Sequence, residues 1–182
     1  MNDLKSQRLA INNAGPVAIA NGLISSTNGG SLTKNGLGTL LLNGAGTYTG
    51  GTTINAGTVS LGGANALPTG SGAVALGGVG ATLDLNGKDQ AVVGFNDNGG
   101  LTTGLLTNSV ATPATFTSTD SGLDNFAGVI SDGGAGKVVR LVKNGAGVFT
   151  LSGANGFSGE TTIMAARSRS GPAARWEIRR LP

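Results

Sequence analysis

Few residues in this chain are equipped for chemistry, and the best placed are three acids, Asp120, Asp124 and Asp132. Carboxylates on adjacent strands of one face, alone or with Lys or Arg, can cleave polysaccharides by acid–base catalysis. These three fall at uneven spacing in an irregular stretch between Ser118 and Gly134, and the chain contains no histidine. The absence of cysteine removes thiolate catalysis and any disulfide framework.

Two glycine-rich stretches approach known ligand-binding motifs. Gly133-Gly134-Ala135-Gly136-Lys137 approaches a phosphate loop, but that motif needs Gly at Ser131 and a hydroxyl at Val138. It reads as a corner loop. Gly77-Gly78-Val79-Gly80-Ala81-Thr82-Leu83-Asp84 approaches a calcium-binding nonapeptide, but its Asp comes two positions late and no tandem copies follow. Asp84 is expected to face solvent between Leu83 and Leu85. The residues therefore offer no catalytic, cofactor-binding or metal-binding set, and the expectation is a chain that is not an enzyme and needs no cofactor.

The elements that would position any site are short strands. Glycine accounts for 34 of 182 residues without the period of three that collagen requires. That frequency leaves no room for a helix of useful length. Alternating pairs recur instead: Leu40 and Leu42, Val59 and Leu61, Val74 and Leu76, Leu83 and Leu85, Val93 and Phe95, Phe149 and Leu151. Side chains two apart share one face of a strand, so these pairs name a buried row. Asn-Gly steps, as at Asn35-Gly36, Asn86-Gly87 and Asn144-Gly145, supply residues that tolerate positive φ in tight turns.

The strands also repeat over long range. Leu32-Thr33-Lys34-Asn35-Gly36-Leu37-Gly38-Thr39-Leu40-Leu41-Leu42 returns as Leu141-Val142-Lys143-Asn144-Gly145-Ala146-Gly147-Val148-Phe149-Thr150-Leu151. Gly44-Ala45 and Thr52-Thr53-Ile54 return as Gly153-Ala154 and Thr161-Thr162-Ile163. Tyr48 and Phe157 occupy equivalent places and read as packing residues. Long repeats of short strands mark a stacked array, in which each unit buries its apolar face against its neighbours. The expected fold is all-β, a right-handed parallel β-helix, with an antiparallel β-sandwich as the alternative. Coils of about 20–25 residues would give roughly seven, and at about 4.8 Å between strands a rod near 35 Å long.

At these residues the chain resembles the autotransporter-associated β-strand repeat of bacterial passenger regions. The resemblance rests on Leu32-Thr33-Lys34-Asn35-Gly36-x-Gly38-Thr39-Leu40-x-Leu42, on Tyr48-Thr49-Gly50-Gly51-Thr52-Thr53-Ile54-Asn55-Ala56-Gly57-Thr58, and on Ala81-Thr82-Leu83-Asp84-Leu85-Asn86-Gly87. It covers about residues 20–166. It implies a β-helical stalk segment at the cell surface, serving display or adhesion, with an outer-membrane translocator barrel as partner in a full-length form. A host-surface or matrix ligand is the partner class implied; a small-molecule substrate is not. The rival reading is a carbohydrate-active β-helix enzyme, and a third is a truncated frame with no independent function.

The organisation expected is an N-terminal segment over 1–19, a first module over 20–127, a second over 128–166, and an Arg-rich tail over 167–182. After Ile163 the repeat text gives way to Met164-Ala165-Ala166-Arg167, which reads as a fragment or a shifted frame. No signal peptide is visible in the first residues. The formal charge of +3 belongs to the tail. Residues 1–166 hold seven Lys or Arg and eight acids, whereas five Arg and one Glu stand in the last 16. The body therefore carries no electrostatic footprint for nucleic acid, and the tail is expected to be disordered.

Overall fold

The computed structural model describes residues 2–3, 8–20, 24–25, 29–99 and 104–164. Every strand pairing among them is parallel. The Asn-Gly steps therefore turn the chain into the next face of a coil, and the antiparallel sandwich is set aside. The strands stack as a right-handed β-solenoid of about six turns. That is about one fewer than expected.

Three faces make up the solenoid. The first carries Arg8–Ile11, Ser31–Lys34, Thr52–Ile54, Ala73–Leu76 and Gly94–Asn96 as one hydrogen-bonded ladder. Leu123–Phe126 and Val148–Leu151 continue this face as a separate pair. The second holds Val17–Ala20, Thr39–Leu42, Thr58–Leu61, Thr82–Asp84, Leu105–Thr107 and Val129–Ile130. The third holds Gln90–Val92, Ala114–Ser118, Val139–Lys143 and Thr161–Ile163. Where it lacks a strand, segments around Tyr48 and Leu67 form the wall, joined to their neighbours by Gly46 N–H to Ala66 O and Leu67 N–H to Gln90 Oε1. Register steps run from 19 residues, Thr39 opposite Thr58, to 26, Gln90 opposite Phe116.

Period-two alternation fills the interior. Leu40, Leu42, Val59, Leu61, Val74, Leu76, Leu83 and Leu85 are all buried, as the alternating pairs require. Phe149 and Leu151 pack on that core but remain half-buried. One pair departs from that alternation. Val92, not Val93, points inward with Phe95, because the chain turns a corner at Val93-Gly94 and the alternation is reset there. At Asn86-Gly87 both residues take positive φ, the conformation that a tight corner demands. Asparagines stack along one corner: Asn35 Nδ2 donates to Asn12 Oδ1 at 2.7 Å, and Asn55 Nδ2 to Asn35 Oδ1 at 2.8 Å.

The two repeat copies do not lie on the same faces. Leu32–Lys34, Thr39–Leu42 and Thr52–Ile54 occupy the first, second and first faces; Leu141–Lys143, Val148–Leu151 and Thr161–Ile163 occupy the third, first and third. The spacing between copies is thus four turns plus two faces. Local structure follows the repeat text, whereas its orientation follows the length of chain between copies.

Candidate functional site

The three acids do not converge. Asp132 lies at a different corner, where its two oxygens accept from Val139 N–H at 2.8 Å and Ser158 N–H at 2.9 Å. Burial opposes its ionisation, but these bonds outweigh burial and hold its carboxyl below the usual range. Asp120 and Asp124 do come close, at the corner between the third and first faces, with Lys143 beside them. Asp120 accepts from Gly122 N–H at 2.9 Å, within its own turn.

Asp124 points inward, in a column that also holds Leu32, Thr52, Val74, Phe95 and Phe149 and is otherwise apolar except for Thr52. Its Oδ2 accepts from Phe95 N–H at 2.7 Å. Burial pushes its carboxyl up, helped by Asp120 and opposed by that N–H and by Lys143. Residue 94, a glycine, packs closely against this carboxylate. A Cβ would stand 3.3 Å from Asp124 Oδ1 and 3.1 Å from Ala73 Cβ. Asp124 is therefore packed into the wall, while Asp120 beside it stays half-buried.

Lys143 is buried and spends its ammonium on backbone carbonyls, Asp120 O at 2.8 Å and Gly145 O at 2.9 Å. Lys34, its counterpart in the first copy, does the same with Asn35 O at 3.1 Å, Gly36 O and Ala56 O at 3.3 Å. Each lysine thereby ties its own corner to the corner of an adjacent turn, and burial lowers the pKa of both. Sequence reasoning missed this role. The available signal was one lysine at the same place in both copies, at an inward position where leucine would be ordinary.

Asp84 is a correction. It is buried, because Ser60 Oγ, Asn86 N–H, Ser109 N–H and Ser109 Oγ all donate to it. Ser60 and Asp84 lie side by side in register, so the outer face supplies its own cover. With four donors upon it, the carboxylate acts as a corner fastener. Gly133–Lys137 is a closed turn, with Gly133 N–H on Lys137 O and Lys137 N–H on Gly134 O. Tyr48 is fully buried and its hydroxyl shares a 2.6 Å hydrogen bond with Thr52 Oγ1, consistent with packing. The Arg-rich stretch 167–182 lies outside the described residues.

The comparisons agree with this geometry. The passenger-associated-transport-repeat family model matches residues 32–61 and 141–166, the two copies found in the sequence. The adhesin BmaC autotransporter of Brucella suis biovar 1 (strain 1330) is 36% identical over 136 residues, 74% of this chain and 4% of that protein. The chain thus spans a small part of the length of this curated relative. No solved structure matches. Residues 32–61 and 141–166 thus match the passenger-associated-transport-repeat, on a chain similar over most of its length to part of an autotransporter adhesin.

Proposed function

We propose that this chain is a segment of a surface-exposed passenger stalk, contributing display or adhesion rather than catalysis. One observation carries the reading: both repeat copies sit in one continuous parallel solenoid, where the side chains best suited to chemistry fasten one turn to the next. The similarity to a stretch of an adhesin supports the same assignment. In this reading residues 20–127 and 128–166 are successive modules. The full-length protein is held at the outer membrane by a translocator barrel, and its ligand is a host-surface or matrix molecule.

The test is to fuse the chain between an epitope-tagged reporter and an outer-membrane translocator barrel in a Gram-negative host. The reporter should reach the cell surface while the solenoid itself resists external protease. Retention of the reporter inside the cell, or digestion of the solenoid as fast as an unstructured linker, would reject the stalk role. Adhesion is tested separately, by binding of beads coated with the purified chain to matrix-coated surfaces. Release of reducing ends from polysaccharide, abolished by Asp120→Asn, would instead establish the enzyme reading.

A further inference from the structure

The first face contains a seam. Its ladder runs unbroken through five strands and stops at Gly94–Asn96; among the described residues Leu123–Phe126, on the next turn, pairs as a strand only with Val148–Leu151. On the other two faces the ladder crosses the same level without interruption. Leu105–Thr107 pairs with Val129–Ile130, and Ala114–Ser118 with Val139–Lys143.

Two mirrored tripeptides face each other across the seam: Phe95-Asn96-Asp97 on one turn and Asp124-Asn125-Phe126 on the next. Period two turns the first and third residue of each inward, so Phe95 and Asp124 share one interior column and Asp97 and Phe126 the next. The phenylalanines occupy one diagonal, with ring centroids 4.5 Å apart. The aspartates occupy the other and bond to the backbone of the opposite turn. Asp124 Oδ2 accepts from Phe95 N–H and Asp97 Oδ2 from Ala127 N–H, each at 2.7 Å. Each carboxylate thus takes an N–H that a continuous ladder would give to a carbonyl.

We propose that this reciprocal clasp is a joint, at which the two turns part on the first face while the other two faces hold. Ladder bonds are replaced one by one only by local unfolding, whereas two side-chain acceptors swing away by rotation about their own χ angles. The aromatic diagonal keeps the interior filled when the clasp closes. The joint confines bending of the rod to one level and one direction. This inference is independent of what the rod displays.

Amide hydrogen exchange of the full chain, followed residue by residue by NMR, tests it. Ala114 and Val129 are the controls, since their N–H groups bond to Val138 O and Gly104 O between the same two turns on the uninterrupted faces. Phe95 and Ala127 should exchange on the order of tenfold faster than these controls. Asp97→Asn and Asp124→Asn keep an acceptor oxygen and should leave that ratio within about threefold. Asp124→Ala should raise exchange at both Phe95 and Ala127 while the controls stay put, because the clasp opens as a unit. Equal rates at all four amides in the unaltered chain would overturn the joint. So would an alanine variant that accelerates all four together, which signals general unfolding.

Discussion

The first repeat copy and the second carry the same residue types into different surroundings. Leu40 and Leu42 are sealed, while their counterparts Phe149 and Leu151 stay half-buried. Tyr48 is fully enclosed and Phe157 is not; Lys34 is fully buried and Lys143 nearly so. The Thr39–Leu42 strand is flanked on both sides, by Val17–Ala20 and Thr58–Leu61, whereas Val148–Leu151 is paired among the described residues only with Leu123–Phe126. Burial in a solenoid is therefore supplied by adjacent turns, as nearest-neighbour energetics requires. Identical text has unequal energetic weight at different levels of the stack.

The largest expected effect tests that difference directly. Leu42→Ala should cost about 2–5 kcal/mol, the usual range for a sealed leucine. Leu151→Ala should cost clearly less, because water already reaches the site. Urea denaturation of both variants measures this, and equal losses would break the comparison. A smaller effect is expected at the lysines. Lys34→Met strands buried carbonyls at the corner and should cost about 1–3 kcal/mol, with Lys143→Met below it. If either substitution stabilised the fold, the tie between corners would be no fastener at all.

Tyr48→Phe makes the first copy more like the second and removes only the bond to Thr52. A loss of about 0.5–1.5 kcal/mol is expected, read from the same denaturation midpoints. The pH dependence should be the most modest signal. The Asp124 carboxyl is raised in the fold, so its protonated form is favoured there, and stability falls as pH rises from the ordinary aspartate range through the folded value. Asp132 is lowered, so its contribution is present above the ordinary range and disappears as pH falls through the folded value. The midpoint between pH 7 and pH 3 should therefore gain slope in one sense in Asp124→Asn and in the other in Asp132→Asn. Parallel curves for the two variants would show that the corners do not differ in this way.

Much of the architecture was legible in the residues. Alternation at Leu40 and Leu42, or at Val74 and Leu76, marks an inward row because successive strand side chains point to opposite faces. The two copies identified a stacked array, since a unit this small cannot bury its apolar face alone. Alternation failed where a corner resets the phase, as at Val93-Gly94. It failed again at Asp84, whose cover comes from Ser60 and Ser109 on adjacent turns. The mirrored Phe95-Asn96-Asp97 and Asp124-Asn125-Phe126 stood in plain view as text, yet nothing in one strand says which strand will lie beside it.

By itself, then, the sequence determined the all-β class, the inward rows, the glycine-bearing corners and the repeat, all properties of a few consecutive residues or of text compared with itself. The tertiary structure alone decided which turn rests on which, and so the rotation of the second copy onto different faces. It also decided the stitching lysines and the carboxylate seam. The physical reason is that turn length varies between 19 and 26 residues. Lateral neighbours are set by the accumulated length of chain between two strands, and their partnerships appear only when the coils have closed.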